Sequence, residues 1–317
     1  MRLVRDEEVE DAGPPTVVTG PAGAVSPPGT AFVPVLDQLA DLHAEIHNLQ
    51  AEVNMLRRRD ETLRFYMQRV DEELRLAARI QQDFLPKMLP QLGRVHFHTL
   101  FRPAGYVSGD LYDVMRLDEE HVGFFICDAV GHGMPAALLT MFIKRALVTK
   151  EIYGGDRPGY RLLKPSETLD RLNQALVEQN LSQATYATAL YGIVNVRTLE
   201  VTYSKGGHPS PALLRADGQI DFPEAVGALL GIFPDEQFTE ARFQLVPGDR
   251  LFVYSDGIEV AFGTENVADH DTWRYELCRR HALPTDQLLI EFAAELDRQS
   301  GSLQPKDDLT VIALEVK

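Results

Sequence analysis

The sequence predicts a mixed α+β domain carried behind one long helix. Three observations predict it. Strand-like and helical runs both occur after residue 86 but do not alternate strictly, so a doubly wound parallel sheet is not expected. An unbroken heptad pattern precedes them. Four short acidic motifs recur, three of them at the edges of apolar strand-like runs, where a rigid scaffold can hold a side chain.

The chain has 317 residues and a formal charge of −16. That is enough for one domain of about 230 residues plus an extension. The negative balance argues against nucleic acid as a partner. Only Cys127 and Cys278 occur, so no disulfide framework is implied and a reducing compartment fits. The N-terminus lacks an apolar h-region, and no apolar stretch approaches the roughly 20 residues that span a bilayer. A soluble, cytoplasmic protein with no membrane partner is expected.

Residues 1–34 are acidic and then rich in Pro and Gly, with little to bury, and are expected to be disordered. Residues 35–85 form the expected coiled-coil segment. With Leu39 at position a, the a residues continue as Ile46, Val53, Asp60, Met67, Leu74 and Gln81. The d residues are Leu42, Leu49, Leu56, Leu63, Val70, Ala77 and Phe84. Ile and Val at a with Leu at d favour a parallel two-stranded coil, so a homodimer through residues 39–84 is expected. Asp60 interrupts the seam beside three arginines and can fix register at a cost in stability. The alternative is a long amphipathic helix packed on its own catalytic domain.

Residues 86–317 form the expected catalytic domain. Strands are expected at Phe97–Arg102, Val122–Cys127, Ala187–Val194, Val201–Ser204, Phe243–Leu245, Leu251–Tyr254 and Thr310–Val316. Helices are expected from Pro135 to about Glu151, Pro165 to about Gln179 and Thr285 to about Arg298. Pro135 and Pro165 suit first-turn positions, and Thr285 suits an N-cap.

The acidic motifs are Ser108-Gly109-Asp110, Asp128-Ala129-Val130-Gly131-His132-Gly133, Ser255-Asp256-Gly257 and Asp307-Asp308-Leu309-Thr310. Any one Asp-Gly could be only a turn. Four of them, three abutting apolar runs, point to a shared site. Carboxylates gathered together cannot all stay ionised unless cations neutralise them. Oxygen-only ligands select hard ions such as Mg²⁺ or Mn²⁺, and no His/Cys spacing suits zinc. Two such ions can activate a water and clamp a transferring phosphoryl group.

In order and spacing these motifs resemble the PPM (PP2C-like) metal-dependent serine/threonine phosphatases, in the RsbU/SpoIIE-type branch. The resemblance covers residues 76–317. It also includes Ile80-Gln81-Gln82-Asp83-Phe84-Leu85-Pro86, Pro135-Ala136-Ala137-Leu138, Gly206-Gly207-His208-Pro209 and Pro247-Gly248-Asp249. It implies two packed antiparallel sheets flanked by helices, with two Mn²⁺ or Mg²⁺ ions at one end between the sheets. Asp128 matches the carboxylate bridging both ions, and Ala129 the residue giving one of them a main-chain carbonyl. Asp256 and Asp307 match the remaining ligands, with Asp307 preferred over Asp308. Asp110 matches the acid that holds metal-bound water or a further ion, which makes Asp110 and Asp128 the catalytic acids. Asp113 is expected to be structural.

His132 and His208 are candidate general acids in Gly- or Pro-bounded turns, where a hydrogen-bonded turn residue is the plainer reading. Cys127 ends an apolar run without a phosphate-cradling loop, so a nucleophilic role is not expected. Arg102 is a candidate phosphate contact. The resemblance implies attack by a metal-bound hydroxide on protein phosphoserine or phosphothreonine. The implied substrate is a phosphorylated anti-anti-sigma (STAS-type) protein in a partner-switching pathway. An upstream activator binding the coil or the N-terminal tail would supply the signal, delivered near Ile80–Pro86. A catalytically silent scaffold and a metal-dependent phosphodiesterase are the rival readings.

Overall fold

The computed structural model describes residues 32–154, 159–179, 185–262, 272–299 and 307–317. Most of the expected tail therefore lies outside the described residues. The chain divides into two units at Met67/Gln68. Helix α1 (Phe32–Phe84) supplies all the described residues of the first unit and opens the second. In the first unit the seam positions Leu39, Leu42, Ile46, Leu49, Val53 and Leu56 are all exposed. The helical pattern is unbroken, and among the described residues nothing covers its apolar stripe.

The second unit is built on two five-stranded antiparallel sheets. The first comprises β1 (Val95–Arg102), β12 (Leu309–Val316), β11 (Arg250–Tyr254), β8 (Ala212–Leu214) and β9 (Ile220–Asp221), in that spatial order. The second comprises β10 (Glu240–Gln244), β7 (Glu200–Gly206), β6 (Ala187–Asn195), β3 (His121–Ala129) and β2 (Asp110–Arg116). A small hairpin joins β4 (Lys150–Tyr153) to β5 (Gly159–Leu162).

Period-2 alternation sorts the side chains into layers. On β3, Val122, Phe124 and Ile126 face the core between the sheets, where they meet Leu251, Val253, Ile312 and Leu314 from the other sheet. The intervening Phe125 and Cys127 face outward against α2 (Met134–Ala146) and α3 (Pro165–Glu178). On the opposite side, Phe252, Tyr254, Val311 and Ala313 pack against α4 (Gly257–Phe262), α5 (Thr272–Arg279) and α6 (Thr285–Gln299). The result is the expected pair of antiparallel sheets flanked by helices.

Two local expectations need correction. Helix α2 ends at Ala146, not near Glu151: Leu147 is extended, and Lys150–Tyr153 pairs with β5 instead. Lys144 and Arg145 fill its last turn, where cations suit the helix dipole. Thr285 is not a capping side chain. The Pro284 carbonyl accepts the Leu288 N–H, and the buried Thr285 hydroxyl finds no partner among the described residues.

Candidate metal centre

The strand register brings the acids together. Asp110 on β2 stands directly opposite Asp128 on β3, and Asp128 stands opposite Thr188 on β6. Parity puts all three side chains on the inter-sheet face, at the end where β3 runs out. Asp110 is 1% exposed. Its carboxylate accepts the Thr310 hydroxyl at 2.6 Å, and its N–H donates to the Ser108 Oγ at 3.0 Å.

The other sheet supplies Asp256, Asp307 and Asp308 from the ends of β11 and β12. Ser255 ties those strands: its N–H donates to the Thr310 carbonyl, and its Oγ accepts the Thr310 N–H, both at 3.0 Å. The two neighbouring acids of β12 have different uses. Asp308 is buried, and its carboxylate accepts the N–H groups of Ala104 and Gly109, each at 2.6 Å. Asp307 is exposed and accepts only the Asp308 N–H at 2.8 Å, among the hydrogen bonds described for it. Asp308 is thus spent on the loop before Asp110, while Asp307 remains available at the surface.

Two glycines are demanded by close approach. A Cβ on Gly257 would sit 1.9 Å from the Asp308 carbonyl oxygen, inside any contact distance. A Cβ on Gly109 would sit 3.2 Å from the Ala129 carbonyl oxygen and crowd the main chain at the end of β3.

The electrostatics are those of acids without a counter-charge. Burial, and then the charges of Asp256, Asp307 and Asp308, push the Asp128 carboxyl from an ordinary 3.8 to about 7. Burial and Asp128 hold Asp110 well above its usual range, against the bonds from Thr310 and Ser255. Partial burial and Asp307 raise Asp256, and partial burial raises Asp307. Every neighbouring charge recorded as acting on Asp128 is negative. Among the described residues no three His, Cys, Asp or Glu side chains stand close enough together to hold a metal ion as they are placed; the acids of the two sheets act on one another through charge. An all-oxygen donor set with unbalanced negative charge fits a hard divalent ion.

The remaining candidates fall into place around this group. Asp113 pairs with Lys144 and ties β2 to α2. Cys127 is fully buried, with its thiol pushed well above the usual range by burial and then by Asp110 and Asp128, which makes it inert. His132 is exposed between Gly131 and Gly133, both at positive φ. His208 is buried, with its Nδ1 2.7 Å from the Thr188 hydroxyl. Arg102 is not free for a phosphate: it donates to the Ala293 carbonyl at 3.2 Å and to Asp297 at 2.7 Å, both on α6.

Ser255, Thr310, Thr188 and Gln81 were not expected at the site; Gln81 was expected only as a seam position. The first two stand inside the acidic motifs, and their hydroxyl beside an acid was the available signal. Gln81 is 5% exposed; its amide donates to the Ser108 carbonyl at 2.7 Å and accepts the Ser108 N–H at 2.8 Å. It also lies 3.4 Å from the Thr140 hydroxyl on α2. Asp71, Leu74, Ala77, Ala78 and Gln81 are the less exposed positions along this part of α1, the i, i+3, i+6, i+7, i+10 spacing of one helical face. The C-terminal end of the expected 39–84 seam is therefore turned in part onto the chain's own domain.

The sheet architecture is that of PP2C phosphatase domains. The SiaA-PP2C domain of Pseudomonas aeruginosa superposes with a TM-score of 0.66 at 23% identity, over 79% of this chain and 98% of that one. The RsbU and RsbW domains of Rv1364c from Mycobacterium tuberculosis give 0.60 at 22% identity, over 72% and 62%. The chain belongs to the SpoIIE family, whose description, Stage II sporulation protein E, matches residues 118–317. Phosphoserine phosphatase RsbU of Bacillus subtilis (strain 168) is 30% identical over 258 residues, 81% of this chain and 74% of that protein. Phosphoserine phosphatase RsbP of the same organism is 28% identical over 247 residues, 77% of this chain and 58% of that protein. Membership of the PPM phosphatases in the RsbU/SpoIIE-type branch is borne out.

Proposed function

We propose that the chain is a metal-dependent protein phosphatase that hydrolyses phosphoserine or phosphothreonine. Its substrate is a phosphorylated STAS-type anti-anti-sigma protein in a bacterial partner-switching pathway. The observation that carries this reading is the convergence of acids from two sheets: Asp256 and Asp307, at the strand ends of one, act by their charge on Asp128, at the strand end of the other. The names of RsbU and RsbP support the substrate class.

Asp128, Asp256 and Asp307, with the Ala129 carbonyl, would hold Mn²⁺ or Mg²⁺, and Asp110 would act beside them. When bound, such ions activate water and neutralise charge on the phosphoryl oxygens. The chain's own part is to hold the acids at fixed positions. Thr310 orients Asp110, Asp308 braces the Ala104–Gly109 loop, and Gln81 clasps Ser108 two residues before Asp110.

We read the exposed stripe over residues 39–70 as the seam of a parallel homodimer. Signals from an activator on the coil or tail would reach the centre through Gln81, which touches both the Ser108 loop and α2. Among the described residues no helix is long and apolar enough to cross a membrane, which agrees with a cytoplasmic setting. The deciding assay offers a phosphoserine STAS protein, para-nitrophenyl phosphate and a phosphodiester, with and without Mn²⁺. Mn²⁺-dependent release from the phosphoprotein is expected. Release from the diester alone, or from none of the three, would favour the rival readings.

A further inference from the structure

His208 lies on the connection by which the chain leaves one sheet for the other. Strand β7 ends at Gly206 in the sheet that carries Asp128, and β8 begins at Ala212 in the sheet that carries Asp256. The crossover is pinned by the Gly207 N–H, which donates to the Gly227 carbonyl at 2.9 Å. His208, 1% exposed, is left inside it.

The imidazole is hydrogen-bonded to one sheet and lies near the main chain of the other. Its Nδ1 meets the Thr188 hydroxyl at 2.7 Å, and Thr188 is the residue directly opposite Asp128. Its Nε2 is buried with no hydrogen-bond partner among the described residues, and the Tyr254 main chain is near the ring. Tyr254 ends β11, two residues before Asp256. Burial lowers this imidazole to about 3, so it stays neutral at ordinary pH. The two residues beside the ring are strand neighbours of the two acids: Thr188 stands opposite Asp128, and Tyr254 comes two residues before Asp256.

We propose that His208 is a positioning residue, which with Thr188 forms a strut between the sheets that sets the separation of Asp128 and Asp256. The inference rests on the reading of those two acids as metal ligands. It assigns to His208 a role in divalent-ion affinity and no proton transfer. Groups that orient ligands from behind typically change metal affinity about ten- to a hundredfold when lost.

The test uses the full chain and Mn²⁺ alone, with free Mn²⁺ followed by electron paramagnetic resonance and melting temperature measured in EDTA. Thr188→Val keeps the side-chain shape and removes the hydroxyl. It should weaken Mn²⁺ binding at least about tenfold, and Thr188→Ser should restore it. Thr188→Val combined with His208→Asn should bind no more weakly than the weaker single variant, because the two act as one unit. Leu277→Ala, in the outer core beyond the other sheet, lowers the melting temperature through a cavity and should leave Mn²⁺ affinity unchanged. Unchanged affinity in Thr188→Val would overturn the strut alone. So would an equal loss in Leu277→Ala, which would mark general loosening. A wild-type chain that takes up no Mn²⁺ would overturn the metal reading and the strut together.

Discussion

Asp110 and Asp128 face each other across the β2–β3 ladder as direct cross-strand partners. Like charges so placed destabilise a sheet. The pair is tolerated because Thr310 and Ser255 hydrogen-bond one member and, on the proposed reading, because a cation neutralises the other. Asp128→Asn should therefore cut phosphatase activity at least about a hundredfold, the scale of losing one electrostatic element of a site. Cys127→Ser, its buried neighbour, should retain most activity. A dead Cys127→Ser beside an active Asp128→Asn would overturn the proposed chemistry.

The same carboxylate sets a pH dependence in metal-free protein. Asp128 stands at about 7 in the folded chain against an ordinary 3.8. The folded state holds the extra proton between those values. The stability contributed is full below about pH 4 and is lost as pH rises through about 7. Asp110, Asp256 and Asp307 are raised too and act in the same sense. His208, lowered to about 3, acts oppositely, because the unfolded chain takes its proton first as pH falls below about 6.5. Asp128→Asn isolates the acid. In EDTA the variant should be more stable than wild type at pH 8, with the advantage gone near pH 4. Urea unfolding curves at the two pH values decide it, and an equal difference at both would refute the assignment.

Asp307 and Asp308 should separate cleanly. Asp308→Ala removes the acceptor of the buried Gly109 N–H, at about 1–3 kcal/mol, and of the half-buried Ala104 N–H. It should lower the melting temperature in EDTA. Asp307→Ala removes an exposed carboxylate and should weaken Mn²⁺ binding while leaving that temperature almost unchanged. Calorimetry in EDTA with a parallel Mn²⁺ titration tests the pair, and the reverse pattern would exchange their roles.

These positions differ in how far the sequence reveals them. Asp128, Asp256 and Asp307 are legible because each abuts an apolar run, and β3, β11 and β12 are read from those runs. Strand β2 is not, because Asp110, Asp113 and Arg116 break its apolar pattern and its pairing with β3 decides its state. The short helix α4 is hidden for a similar reason: its backbone is held by the Ser255–Asp256 turn, with the Glu259 N–H on the Asp256 carbonyl at 2.8 Å. Thr188 and His208 lie in recognisable segments, yet their relation depends on the β3–β6 register and on a crossover between sheets. No local pattern carries that information.

The coil makes a separate prediction. Leu49 and Leu56 are 54% and 55% exposed, and Asp60 is held at 3.0 Å by Arg64 on the same helix. The full chain should be a dimer by light scattering. Leu49→Asp with Leu56→Asp should make it monomeric at micromolar concentration. Asp60→Leu removes the polar interruption and should raise coil stability or change its oligomer number. A wild-type monomer would reject the seam.

The last prediction concerns how that coil would speak to the acids. The helix stripe that faces the domain begins at Asp71, whose carboxylate accepts the Tyr106 hydroxyl, and ends at Gln81 on Ser108. Pro86 follows closely and cannot donate a backbone hydrogen bond, so the helix stops there. An insertion between Val70 and Asp71 therefore leaves Asp71–Gln81 intact while turning the seam above it. Seven residues restore the heptad and should be tolerated, whereas three or four rotate the seam by part of a turn. In a dimer that rotation must strain either the coil or the Gln81 contacts, and the latter hold the loop before Asp110. Initial rates at saturating Mn²⁺ should then differ for three and four but not for seven. The Gln81→Leu variant should abolish the dependence on phase, because it cuts the connection while leaving both ends in place. Equal rates in all three insertions would mean that the coil only tethers two domains and carries no signal.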